Sequence, residues 1–558
     1  MNGKKKFALI IALAAVLCAC TDTAAETITD TQDEEIEEEM TEVTVPTDIY
    51  AESGYDMNIV LDFSAEAKEI SPYIYGVNQY GNQENYDKAG FTAVRQGGNR
   101  MTAYNWETNA SNAGADWKFI SDSHLSSSSG PADCALTLSR EAAENGISYK
   151  LTTLQLAGYV AADKKGAVTE EETAPSERFN EVRFTTQGEF PETPDLTDGV
   201  VYMDEYVNYI IRQLGNSESE TGIQGYSLDN EPALWSGTHS EVHPEPVTIA
   251  ELCDKSIELA YAVKQLDPEA EIFGSALYGY TAYDHLADDD SSTEWDELKE
   301  ENGYNWFIDC YLDNMRKASE EKGVRLLDVL DIHYYSESAR NDAKDRVQSV
   351  RTLYEEGFSE NSWIGQWCMG NVPILSTVKE SIDKYYPETK LAITEYNFGG
   401  EDMSGTIVQA EALGCYADMG VYFASIWGGN DCQFAGIRLY TDYDGRGSAF
   451  GDMLISTATD DVSLSSAYAA DSDGQVTVMI TNKDTDSNEN AVIDLTSSDD
   501  SYTAAAVYAV YDDSFEIRLI NVVESAEPNK FEVTLPLYCA AMVVVSDDAA
   551  DFPTVINE

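Results

Sequence analysis

Between Ile70 and Arg438 the chain repeats one alternation eight times: a short apolar run, then an amphipathic stretch. The runs are Tyr73–Asn78, Ala93–Arg95, Tyr149–Gln155, the segment from Tyr226 to Glu231, Glu271–Leu277, Leu327–His333, the segment from Leu391 to Glu395, and Tyr422–Trp427. Runs that stay apolar without clean alternation suit strands buried on both faces. The stretch 249–266 has helical periodicity and stops at Asp267-Pro268. Eight β/α units predict a (β/α)8 barrel around a parallel sheet, spanning 70–444.

After Gly445 the pattern changes to short alternating strands: Gln475–Ile480, Ala491–Leu495, Ala504–Val510, Phe531–Leu535 and Ala541–Val545. Gly, Asn and Asp turns separate them, which predicts an antiparallel β-sandwich. Asn58–Phe63 precedes the barrel and is expected to join it, so the sandwich is assigned to 56–69 and 445–550.

The N-terminus reads as an export signal over 1–20. Lys4, Lys5 and Lys6 precede an apolar core from Phe7 to Leu17. That core is shorter than the roughly 20 residues of a membrane span. Leu17-Cys18-Ala19-Cys20 resembles a bacterial lipobox with Cys20 as the lipidated residue, although Cys18 stands where a small or hydroxyl residue is usual. This predicts an extracellular lipoprotein on a bacterial surface. Residues 21–55, with the run Asp33–Glu39, read as an acidic solvated linker. A net charge of −67 excludes nucleic acid and anionic membrane surfaces as partners and fits action on a neutral polymer. A monomer is expected. The seven other cysteines show no C-x-x-C spacing, and buried thiols are the expectation.

Two glutamates stand at the ends of strand-like runs. Glu231 is followed by Pro232, and Glu395 by the turn segment from Asn397 to Gly400. Catalytic groups of a parallel barrel sit at the C-terminal ends of its strands. Hydrolysis of a glycosidic bond uses two facing carboxyl groups, either about 5–5.5 Å apart for retention or wider for inversion. Glu231 is the candidate general acid and Glu395 the candidate nucleophile. Asn230 and Glu231 would point to opposite faces of a regular strand, so both reach the site only if the strand end bulges. His333 and Tyr335 alternate on one face of strand six and are expected to orient Glu395. Arg95 ends strand two and is expected to pair with a carboxylate. Trp106, Trp235, Trp367 and Trp427 lie near strand ends, with Trp235 and Trp427 the stronger candidates to stack under sugar rings. Asp442–Gly447 resembles a calcium loop but has Met453 where the bidentate glutamate belongs, and reads as a turn entering the sandwich.

Several longer motifs carry a family resemblance. Gly97–Glu107, Asn109–Trp117, Tyr226–Trp235, His243–Pro246, Ile272–Gly279 and Thr394–Asn397 resemble glycoside hydrolase family 44. The likeness runs from Tyr73 through the sandwich. It implies a clan A barrel with an attached sandwich and retaining endo-hydrolysis of β-1,4-glucans, often including xyloglucan. By position, Glu231 matches the acid/base, Glu395 the nucleophile and Asn230 the residue that binds the sugar 2-hydroxyl. The resemblance also implies no cofactor for the chemistry but a structural divalent cation such as calcium, with unassigned ligands. The stretch Ser240-Glu-Val and the loop Asp288–Asp290 depart from the family pattern. Alternative readings are a glycan-binding lipoprotein that does not cut, and a same-clan xylanase or mannanase.

Overall fold

The eight apolar runs form eight parallel strands that close into a barrel: β1 (Tyr73–Asn78), β2 (Ala93–Gln96), β3 (Tyr149–Leu154), β4 (Gly225–Leu228), β5 (Glu271–Leu277), β6 (Val329–Tyr334), β7 (Lys390–Tyr396) and β8 (Phe423–Ile426). Each pairs with its sequence neighbour, and β8 closes on β1. The computed structural model describes residues 43–45, 54–78, 89–287, 293–472 and 474–557. Cys20, the rest of the signal, most of the linker and the Asp288–Asp290 loop lie outside the described residues.

The strands read as unbroken apolar runs because both faces are covered. One end of the barrel interior is filled by Ala93, Tyr149, Leu151, Phe273, Val329, Ala392 and Phe423. Toward the C-terminal ends the inward residues turn polar: Thr153, Ser227, Asp331, Thr394 and Ser425 are all buried. Apolar packing therefore closes one end, and the polar end supports the site.

The second layer system is a sandwich with two sheets joined through one strand. Met453–Thr459 pairs through its first half with Ser465–Ser472 and through its second half with Gly54–Asp62. The facing sides share a core that includes Ile59, Val478, Ile493, Val507, Phe531 and Val543. The pairing is mostly antiparallel, but Gly54–Asp62 runs parallel to Asn488–Asp494. That strand arrives from before the barrel, so no hairpin constrains its direction. The linker assignment needs a correction at its end. Val43–Val45 pairs in parallel with Val555–Asn557 as a separate two-stranded sheet, which the β-branched Val-Thr-Val favours.

The outer face of one sandwich sheet packs on the helix Met403–Asp418, buried from Met403 to Ala417. Cys539–Ser546 consequently has every residue buried. Gly414 permits this approach, since a Cβ there would lie 2.1 Å from the Tyr468 ring. Lys483 and Glu411 pair across the junction at 2.8 Å, both fully buried. The seven described cysteines are free thiols, and all but Cys368 are buried.

Candidate active site

β4 ends at Leu228, and the backbone then leaves strand geometry. Asp229 and Glu231 have φ of 65° and 46°. Such left-handed angles at non-glycine residues cost about 1–3 kcal/mol and need support from their surroundings. Asp229 supplies it. Its buried carboxylate accepts from Thr102 Oγ1 at 2.6 Å, Asn230 N at 2.7 Å, Leu156 N at 2.5 Å and Ala157 N at 3.1 Å. Glu231 N donates to Ala276 O at 3.1 Å, and Pro232 opens a short 3-10 turn. The bend breaks strand alternation, so Asn230 and Glu231 both reach the barrel mouth.

β7 makes a second irregularity. Its register shifts against β6 after Ile332 and against β8 after Ile393. Thr394 Oγ1 donates to Asp331 inside the barrel at 2.7 Å, and the extra residue lets Glu395 also turn inward.

Arg95 is the hub. It is fully buried, and its guanidinium donates to Glu395 Oε1 at 2.7 Å, Asn230 Oδ1 at 2.8 Å and Asn78 Oδ1 at 3.0 Å. Gly97 makes room for it, since a Cβ there would lie 2.1 Å from the guanidinium carbon. Tyr335 donates to Glu395 Oε2 at 2.9 Å. His333 Nδ1 lies 2.9 Å from Glu231 Oε1 and 3.6 Å from Glu395 Oε2, so its nearer partner is Glu231 rather than the expected Glu395. Sequence reasoning did not single out Asn78 or Asp229. Asn78 was accessible as the last residue of strand one, and Asp229 as the residue before Asn-Glu-Pro.

One oxygen of Glu231, Nδ1 of His333 and one oxygen of Glu395 lie within 4.8 Å of one another. That places the carboxyl pair in the narrow class, the spacing of a retaining enzyme rather than an inverting one. The Glu231 side chain is 20% exposed and Glu395 only 7%. Burial pushes the Glu395 carboxyl up, but His333, Arg95 and the Arg95 and Tyr335 hydrogen bonds outweigh it and hold it below the ordinary range. The opposite contest raises His333: burial opposes its charge, and Glu395 and Glu231 overcome that. Burial and Glu395 push the Tyr335 hydroxyl far up, so it stays a donor. The three-residue cluster has the spacing of a metal site, but Arg95 beside Glu395 supplies the positive charge and opposes a second cation.

The tryptophans divide. Trp106 is fully buried, stacks on Tyr206 and donates its indole N–H to Tyr202 O. Trp235 is fully buried against His243 and Lys255. Both belong to the core, which corrects their assignment as sugar platforms. Trp427, directly after β8, is half-buried. Trp367 is 76% exposed. A cavity of 310 Å³ adjoins Glu231 and is lined by Tyr278, Tyr280, Tyr335, Arg340 and Trp363 among others. Aromatic rings beside a carboxyl suit the C–H faces of a sugar.

Away from the carboxyl pair, Glu107 and Glu205 are both more than nine-tenths buried. Glu107 Oε2 and Glu205 Oε1 have no hydrogen-bond partner among the described residues. Burial, then Glu205, Asp198 and Asp195, pushes Glu107 up to about 8. Burial, then Asp204, Asp198 and Asp195, pushes Glu205 up to about 7. An all-oxygen acidic donor set of this kind fits a hard divalent cation. The Asp442–Gly447 segment does not. Asp442 accepts from Gly447 N, and Asp444 from Arg446 N and Ser448, so the carboxylates close the turn.

The sequence profile described as Glycoside hydrolase family 44 matches residues 110–338. Endoglucanase A of Paenibacillus lautus is 41% identical over 538 residues, covering 91% of this chain and 75% of that protein. A family 44 endoglucanase from Clostridium thermocellum is 45% identical with a TM-score of 0.83, covering 88% of this chain and all of that one. A Paenibacillus polymyxa family 44 xyloglucanase, solved with xyloglucan, is 40% identical with a TM-score of 0.83 over the same shares.

Proposed function

The chain belongs to glycoside hydrolase family 44, and from that membership we propose how its residues cut an internal β-1,4-glucosidic bond. The enzyme is an endoglucanase of cellulase type, with xyloglucan among the expected substrates. Glu395, ionised and held by Arg95 and Tyr335, attacks the anomeric carbon. Glu231 gives its proton to the leaving oxygen, and the aglycone departs. A covalent glycosyl-enzyme remains. Glu231 then takes a proton from water, which attacks the same carbon and releases Glu395. Two inversions leave the configuration unchanged. Asn230, its oxygen fixed by Arg95 and Gly98 N, presents its amide to the sugar 2-hydroxyl.

The observation that carries this reading is the approach of the two carboxyl oxygens to within 4.8 Å. Reducing-sugar release from carboxymethylcellulose and xyloglucan, with xylan and mannan alongside, tests it. Glucan cleavage by the wild type and none by Glu395→Gln is expected. Binding without cleavage, or cleavage of xylan or mannan alone, would replace this reading with one of its rivals.

The cation is proposed at Glu107 and Glu205, where its charge would let both stay ionised. Calcium should raise the midpoint of thermal unfolding, and Glu107→Gln should abolish the rise; equal response in the variant would place the ion elsewhere. We also propose a monomeric extracellular lipoprotein anchored through Cys20, supported by the N-terminal sequence. Cys20→Ala should move activity from the membrane fraction to the medium.

A further inference from the structure

We propose that His239 is a positioning residue: its imidazolium, clamped between Glu241 and the backbone carbonyl of Asn99, keeps the loop after β2 in register with Asn230. The inference deepens the reading of Asn230 as the group that meets the sugar 2-hydroxyl, and rests on it.

The loop after β2 and the loop after β4 are tied at three points. Gly98 N donates to Asn230 Oδ1 at 3.1 Å. Thr102 Oγ1 donates to Asp229 at 2.6 Å. His239 Nε2 lies 2.6 Å from Asn99 O. The other ring nitrogen, Nδ1, lies 2.7 Å from Glu241 Oε1. The ring has no exposed surface. Both partners are acceptors, since a backbone carbonyl and an ionised carboxyl carry no proton. A neutral imidazole has one N–H and would set a lone pair against one of those oxygens at close range in a dry site. The geometry therefore calls for both ring nitrogens to carry hydrogen.

The surroundings favour that state. Burial opposes the charge, but the Glu241 hydrogen bond and carboxylate, the Asn99 carbonyl and the Asp229 carboxylate overcome it and raise the proton affinity of the ring above its ordinary value. The charged groups facing the ring, Glu241 from its own loop and Asp229 from the end of β4, are both anionic. The packing has no slack: a Cβ at Gly114 would lie 2.9 Å from the ring and 2.1 Å from Thr238 O.

The proton is bound below this raised pKa and lost as pH climbs through it. Without it, the Asn99 peptide loses its donor or Glu241 meets a lone pair, and the clamp opens. Gly98 is the adjacent residue, so its bond to Asn230 shifts with the loop. Contacts to the 2-hydroxyl tighten in the transition state, so kcat should fall more than KM rises. The loss should be about 10–100-fold, the cost of a misplacement near 1 Å.

Nitrogen-15 spectra of the full chain test the protonation directly, and five histidines make the assignment short. Both nitrogens of His239 should still be protonated at a pH above the ordinary titration near pH 6.5, where an unperturbed imidazole is neutral. A neutral ring there would overturn the proposal. Kinetics test the consequence, using an aryl β-cellobioside whose leaving group needs no acid, so that the protonation of Glu231 does not set the alkaline limb. Glu241→Gln removes the facing carboxylate and should move the alkaline limb of kcat to lower pH by about one unit or more, with KM within about twofold. An unmoved limb, or an equal change in KM, would reduce His239 to a packing residue. The spectra need no substrate, so they judge the clamp separately from the role of Asn230.

Discussion

Arg95→Lys is the substitution whose consequences the geometry defines best. It keeps the charge and removes the fork. The guanidinium serves three acceptors on three strands: Asn78 on β1, Asn230 after β4 and Glu395 on β7. A lysine ammonium can stay beside Glu395, but its compact head leaves at least one asparagine oxygen without its donor. An unpaired buried acceptor costs about 1–3 kcal/mol, so unfolding in urea should show a loss of about 2 kcal/mol. Asn230 then loses one of the two bonds that orient it. If about 2–4 kcal/mol of transition-state contact depends on that orientation, kcat falls by about 30–1000-fold. The pH dependence has a definite sign. Glu395 must be ionised to attack, and Arg95 helps hold its proton affinity down. A less closely bonded cation does this less well, so the acid limb of kcat/KM moves to higher pH. Kinetics on an aryl β-cellobioside between about pH 4 and 8 read both effects. A variant with kcat within about threefold of wild type and an unmoved acid limb would refute the reasoning, because the fork would then be dispensable.

Other outcomes follow from the same contacts. Glu231→Gln should lose about 10²–10⁴-fold on polysaccharide yet still be glycosylated by a dinitrophenyl cellobioside, whose departure needs no acid; a burst followed by slow turnover checks this. Trp427→Ala should raise KM for xyloglucan with little change in the unfolding midpoint, whereas Trp106→Ala should cost about 3–5 kcal/mol of stability. Lys483→Met strands Glu411 in the barrel–sandwich junction and should cost about 3–5 kcal/mol in urea unfolding, with Lys483→Met/Glu411→Leu recovering most of it.

Much of the barrel was legible because its strands are covered on both faces, and this writes itself as apolar runs. Val329–Tyr334 is buried at every position. The strands that escaped notice carry weaker patterns. Ser465–Ser472 mixes serine, alanine and aspartate, and Met453–Thr459 alternates irregularly because it changes sheets midway. Short pairs such as Tyr104–Asn105 with Ala110–Asn112 are held by their loop rather than by pattern.

Within the site, residue type and strand-end position pointed to Glu231, Glu395, Arg95, His333 and Tyr335, the family resemblance added Asn230, and the fold brings these together. The tryptophans show the limit of that reasoning. Trp106 and Trp235 stand in the same motifs as site residues, but an indole is equally suited to core and cleft. Only tertiary packing separates Trp235 from Trp427. Asp229 and His239 act through other residues, by bonds across loops distant in sequence. No local periodicity marks such a role.

The configuration of the first product tests the carboxylate pair most directly. Proton NMR recorded during cleavage of a cello-oligosaccharide, before mutarotation, should show the β-anomer first. Initial α-anomer would mean that water attacks across a wider gap, and the spacing assigned to Glu231 and Glu395 would be wrong.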